Sequence, residues 1–208
     1  MTITLYHHPF TRAAGVVWML EEVGAPYTLR FVDLKAAEHK QPELLRLNPM
    51  GKLPILVDGD QAITEGAAIG LYLADRYKPG DLAPELDAPT RGAYLRWILF
   101  APSVVEPGAM AKAGGWEYRE GSAGWGSHEA MLTTIDVAIG KGPFLLGERF
   151  SMADVVFGGT LRYMMQFKML EATPTRTDYV ARLDARPAYQ RAQAKNNAVA
   201  EERGLSTG

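Results

Sequence analysis

Between Leu47 and Ile69 the chain reads LNPMGKLPILVDGDQAITEGAAI, and no other stretch restricts its backbone as tightly. Asn48-Pro49-Met50-Gly51 joins a proline-restricted turn to a glycine. Pro54 stands directly before the apolar run Ile55-Leu56-Val57, where a missing N–H and a fixed φ suit the start of a strand. Asp58-Gly59-Asp60 separates that run from Ala62-Ile63, and Asp-Gly between two strand-like runs predicts a tight hairpin. Thr64-Glu65-Gly66 then leads into AAIGLYLADRY, where Ile69, Tyr72, Leu73 and Tyr77 recur at helical spacing. The stretch therefore predicts turn, strand, hairpin, strand, helix.

Upstream, Ile3-Thr4-Leu5-Tyr6 alternates as a short strand does. His7-His8-Pro9-Phe10-Thr11-Arg12 turns into a helix from about Ala13 to Val23, with Ala13, Val16, Val17 and Leu20 on one stripe and Gly24 and Pro26 as its stop. Tyr27–Val32 reads as a second strand, and Lys35–Leu47 as polar and partly helical. The order over residues 1–78 is βαβαββα. KPGDLAPELDAP, with three prolines and one glycine, marks residues 79–89 as a linker. Residues 90–208 carry only helical patterns: Thr90–Phe100, kinked or ended by Pro102, then His128–Ile139, Ser151 to about Leu170, and Asp178–Ala185. The tail AEERGLSTG is polar and expected to be mobile in part.

Composition excludes several classes. A formal charge of −2, with no run of lysine and arginine, argues against a nucleic-acid surface. No stretch approaches the ~18 consecutive apolar residues of a membrane span, and MTITLYHHPF lacks the form of a signal sequence. A cytoplasmic protein without nucleic-acid or membrane partners is expected. The count of zero cysteines is the sharpest constraint, because it removes disulfides, thiolate metal sites and any protein thiol nucleophile. No histidine pair has metal-ligand spacing, so no metal site is expected.

NPMGKLP followed by TEGAAI resembles the glutathione-binding half of the glutathione transferase family. GERFSMADVVFG resembles the helix-capping motif of that family's helical domain, and RPAYQRA its last helices. In the motif itself Ser151 is a natural N-cap answered by Asp154, flanked by Phe150 and Val155. The chain resembles cytosolic, bacterial-type members with a serine or threonine active site. The resemblance implies an α/β thioredoxin-like N-terminal domain (βαβαββα) followed by an all-α helical domain that takes the second substrate. It further implies a cis bond before Pro54, glutathione as co-substrate, a small hydrophobic electrophile as partner, and a homodimer.

Glutathione's thiol has a pKa near ~8.5, so an enzyme that uses it as a nucleophile must favour the thiolate. A hydroxyl and a helix N-terminus are two suitable donors. Thr11 aligns with the hydroxyl of serine-type members; a plain helix cap is its other reading. Tyrosine-type members place their hydroxyl where this chain has His7, and Tyr6, one residue away, points to the opposite face of its strand. His8 is a further candidate donor. For binding, the resemblance offers the backbone of Leu53, beside Pro54, to the cysteinyl part. Glu65 and Gly66, at a helix start, face the γ-glutamyl end, with glycine standing where many members have serine. Lys52 and His39 are candidates for the glycyl carboxylate. Phe10, Trp97, Phe100, Met110, Trp116 and Tyr163 are candidates for the electrophile wall, with plain core as the alternative. GGWEYREGSAGWGSH reads as an aromatic lid over an apolar pocket. A ligand-binding or assembly module of the same fold without catalysis is the alternative function.

Overall fold

The computed structural model describes residues 2–205. Two compact units emerge, one formed by the chain up to Tyr77 together with the segment from Arg186 onward, the other by Lys78–Ala185.

The first unit is built on four strands: β1 (Ile3–His7), β2 (Tyr27–Phe31), β3 (Ile55–Asp58) and β4 (Gln61–Thr64). Their order is β2-β1-β3-β4, with β1 parallel to β2 and antiparallel to β3. The hairpin forms as its Asp-Gly pair predicts, with Asp58 opposite Gln61 and Gly59 at a φ of 61°. Helices α1 (Ala13–Val23), α2 (Pro42–Leu47) and α3 (Gly66–Tyr77) complete the βαβαββα order. A single turn of 3₁₀ helix, Glu38–Lys40, precedes α2.

Alternation along β1 sorts the two faces of the sheet. Tyr6 joins Val32, Leu44 of α2 and Ile55 in one buried cluster. Its hydroxyl accepts from Arg30 at 3.2 Å, so Tyr6 is a core residue turned away from the face of His7. On that second face α1 packs against α3 and against α9 (Pro187–Glu202). The sequence expectation of a helical domain running from 90 to 208 differs here, because α9 belongs with the first unit. Ion pairs from Arg186 to Glu22, and from Arg191 and Lys195 to Glu21, tie it there. Trp18 stacks edge-on against Tyr189 with the ring centroids 5.2 Å apart. The helix also reaches into the tail as far as Glu202, and residues 206–208 of that tail lie outside the described residues.

The second unit holds α4 (Arg91–Phe100), α5 (Glu106–Ala113), α6 (His128–Ile139), α7 (Met152–Gln166) and α8 (Pro174–Asp184). The α-helical pattern of α4 ends at Phe100, just before Pro102, as the sequence predicts. Lacking an N–H, Pro102 cannot bond the carbonyl four residues back, and the chain widens into a π turn over Ala101–Val105 before continuing as α5. α7 is the centre of this unit: Met152 to Gly158 are all buried, as befits a helix apolar on every side. Its start is capped as the sequence predicts, the Asp154 carboxylate accepting from the Ser151 N–H at 2.9 Å. Phe150 stacks edge-on against Phe144.

Candidate active site

Strand register gathers the candidate glutathione residues. His7, the last residue of β1, stands opposite Phe31, and Tyr6 opposite Ile55, the first residue of β3. Ile55 in turn stands opposite Thr64, the last residue of β4. The turn bearing His8 and Thr11, the Leu53-Pro54 bond and the Glu65-Gly66 helix start therefore leave the sheet at one and the same end.

Thr11 lies half-buried just before α1. Its hydroxyl donates to the His8 carbonyl at 2.9 Å and accepts from the Ala13 N–H at 3.2 Å. Ala14 N–H bonds the Thr11 carbonyl at 3.0 Å and Gly15 N–H the Arg12 carbonyl at 3.2 Å. The first-turn donors of α1 are thus held by the chain itself. The group at this helix mouth that can turn its proton outward is the Thr11 hydroxyl, polarised by the N–H it accepts.

His8 is buried, and its Nδ1 accepts from the Phe10 N–H at 3.2 Å. That bond leaves the ring proton on Nε2. Burial lowers the pKa of His8, with Asp33 pulling the other way, so the ring is a neutral donor at neutral pH. Phe31 and Phe10 flank it. His7, fully buried, bonds Asn196 of α9 instead.

The Leu53-Pro54 bond is cis, as the family resemblance implies. Asn48, which the sequence marks only as a turn residue, braces the approach to it. Its Nδ2 donates to the Lys52 carbonyl at 2.9 Å, and its Oδ1 accepts from the Met50 N–H at 3.1 Å. Lys52 itself is exposed. His39 sits in the 3₁₀ turn above this loop, and the neighbouring Lys40 donates to the Met50 carbonyl at 3.1 Å. Nδ1 of His39 is buried without a hydrogen-bond partner among the described residues.

Glu65 adopts a φ of 65°, a left-handed conformation that costs a residue with a Cβ roughly 1–2 kcal/mol. Its carbonyl accepts from Ile69 N–H at 2.9 Å, opening α3. At Gly66 an added Cβ would meet nothing within 4 Å. This glycine is therefore not demanded by packing.

The candidate electrophile residues are less convergent. Trp97 and Phe100 of α4 gather on Phe157 of α7, at ring separations of 6.0 and 6.3 Å. Tyr163 stacks on Phe167 at 4.6 Å. Met110 and Trp116 are exposed, as is Phe10 in the first unit. Beneath the glycine-rich loop lies a cavity of about 460 Å³ whose wall includes Lys112, Trp116, Glu117, Tyr118, Glu120 and His128. The wall is mixed, with Ala111, Gly115 and two aromatic rings beside Lys112, Glu117 and Glu120, and so is less apolar than the loop's composition suggests. Tyr118 and Trp125 stack within the loop at 5.4 Å.

Family models describe both parts of the chain: glutathione S-transferase, N-terminal domain, over residues 1–75, and glutathione S-transferase, C-terminal domain, over residues 120–194. Glutathione S-transferase F10 of Arabidopsis thaliana is 35% identical over 53% of this chain and 52% of its own length. The chain spans about half the length, or less, of the first curated relatives it matches. Human glutathione S-transferase theta-2B is 30% identical over 78% of this chain and 72% of its own length. Among solved structures, the glutathione transferase URE2P6 from Phanerochaete chrysosporium, in complex with oxidized glutathione, superposes with a TM-score of 0.79 at 25% identity, over 95% of this chain and 97% of that one. A glutathione transferase from Methylococcus capsulatus reaches 0.77 at 27% identity, over 95% and 100%. With both domain models in order and the human relative covered over most of its length, the chain belongs to the glutathione S-transferase family.

Proposed function

We propose that the protein is a glutathione transferase that binds glutathione at the shared end of its sheet, favours the thiolate and presents it to a hydrophobic electrophile. The observation that carries this reading is the strand register, which brings the Thr11 turn, the cis Leu53-Pro54 bond and the start of α3 to one end. With no cysteine in the chain, the reacting sulfur is the bound tripeptide's.

The active site is of the serine/threonine type, with Thr11 as the activating hydroxyl. Released from the His8 carbonyl, it donates to the sulfur while still accepting from Ala13 N–H. A hydrogen bond to a charged group contributes about 1.5–3 kcal/mol, enough to lower the thiol pKa by ~1–2 units. His8, neutral and protonated on Nε2, is the second donor in reach of the same turn. The Leu53 backbone takes the cysteinyl part, Glu65 and the Gly66 N–H the γ-glutamyl end, and Lys52 with His39 the glycyl carboxylate. Conjugation is the principal reaction, and reduction of peroxides or disulfides uses the same thiolate.

Trp97, Phe100, Met110, Trp116, Tyr163 and Phe10 are assigned to the electrophile, and the Gly114–His128 loop to a lid. A homodimeric, cytoplasmic enzyme of detoxification completes the reading, supported by the family. Isothermal titration with glutathione tests it: saturable binding and thiolate absorbance at neutral pH are expected, and absence of affinity at millimolar concentration would remove the catalytic reading.

A further inference from the structure

One side-chain amide joins both ends of the turn that carries His8 and Thr11. Asn196, on α9 and only 5% exposed, donates through Nδ2 to the Ala14 carbonyl at 3.3 Å. Its Oδ1 lies 2.7 Å from His7 Nε2. A backbone carbonyl only accepts, so Ala14 decides which way the amide faces. The amide oxygen then faces the imidazole, and His7 carries its proton on Nε2. Burial lowers the pKa of His7 despite the opposing bond to Asn196, so the ring is neutral and this arrangement holds at neutral pH.

We infer that Asn196 is a positioning residue for the thiol-activating end of α1. The inference rests on the reading of Thr11 given above. His7 closes β1 and Ala14 lies in the first turn of α1, so only residues 8–13 run between the two anchored points. Thr11 hangs within that short span, its hydroxyl bonded to His8 on one side and Ala13 on the other. Allowing β1 and α1 to shift relative to each other moves the hydroxyl from where it meets the sulfur, and misplacement on that scale is costly in rate. The docking of α9 does not depend on this amide. Glu21 and Glu22, near the far end of α1, hold Arg191, Lys195 and Arg186, and Trp18 meets Tyr189. Removing the amide therefore loosens the turn while the helix stays seated.

The test is Asn196→Ala, with Asn196→Asp, which keeps an acceptor for His7 but loses the donor to Ala14. In Asn196→Ala the thiol pKa of bound glutathione should rise by about one unit, lowering the thiolate fraction and kcat at neutral pH about tenfold. KM for glutathione should stay within about twofold, because the groups assigned to bind it sit on other segments, the loop before Pro54 and the start of α3, which Asn196 does not touch. Asn196→Asp should fall between. A folded Asn196→Ala protein with unchanged thiol pKa and kcat overturns the inference, whatever its melting temperature. Should neither variant fold, the wild-type imidazole nitrogen shifts decide: an Nε2–H tautomer at His7 is expected, and an Nδ1–H tautomer overturns the arrangement. A wild-type protein that binds no glutathione overturns the reading of Thr11 itself. A wild-type protein that binds it and depresses its thiol pKa, beside an Asn196→Ala variant that does the same, overturns the inference alone.

Discussion

Tyr6 of β1 stands opposite Ile55 of β3. This antiparallel pairing carries the exit of β1 and the entry of β3 to the same end of the sheet, so a helix mouth comes to lie beside a cis-proline loop more than forty residues further along the chain. The proposed chemistry follows from that placement.

Thr11 is the first place to test it. Thr11→Val removes the hydroxyl and keeps the shape, and should lower kcat/KM for a standard aryl halide about 10–100-fold, equivalent to a charged hydrogen bond of ~1.5–3 kcal/mol. Thr11→Ser should retain most of the activity. The Val variant also leaves the Ala13 N–H without its cap, at about 1 kcal/mol of stability. A pH–rate profile should show the acidic limb moving upward in Thr11→Val; an unmoved limb would transfer the role to His8.

Gly66 has room for a side chain, with nothing within 4 Å of an added Cβ. Gly66→Ser should therefore fold normally and add a hydroxyl beside the first N–H groups of α3. Glutathione affinity measured by titration should tighten by up to about fivefold, the effect of roughly 1 kcal/mol. Weaker binding would place the γ-glutamyl end elsewhere.

Asp154 is a wholly structural carboxylate. Oδ1 accepts from Leu145 N–H at 2.8 Å and from the Tyr179 hydroxyl at 2.9 Å, and Oδ2 from Ser151. Burial raises its pKa while these donors pull it back. Asp154→Ala leaves buried donors unpaired and should cost about 2–5 kcal/mol in urea unfolding. Thiol pKa in the folded fraction should be unchanged.

Acid should loosen α9 from α1. Burial would raise the pKa of Glu21, but hydrogen bonds from Lys195, Tyr27 and Arg191 outweigh it and hold the group at about 2, below its ordinary 4.5. A depressed carboxyl contributes stability above pH 4.5 and loses it as the pH falls toward about 2. Glu21→Gln should flatten the decline in melting temperature across that window. An equally steep decline in the variant would assign the acid sensitivity to other groups.

Much of this protein is written locally. Pro54, the Asp58-Gly59 turn and the spacing of Ile69, Leu73 and Tyr77 specify hairpin and helix within a few residues of one another, and Ser151 with Asp154 specifies the start of α7. The absence of cysteine, a property of the whole chain, requires any reacting thiol to come from outside. Only the tertiary structure decided that α9 returns to α1, that His7 turns to Asn196 while Tyr6 turns to Leu44, and that Trp97 and Phe100 meet at Phe157 whereas Met110 and Trp116 stand exposed. Turn chemistry and periodicity act between neighbours in sequence. Which faces meet across 189 residues depends on packing that no single window of the chain contains.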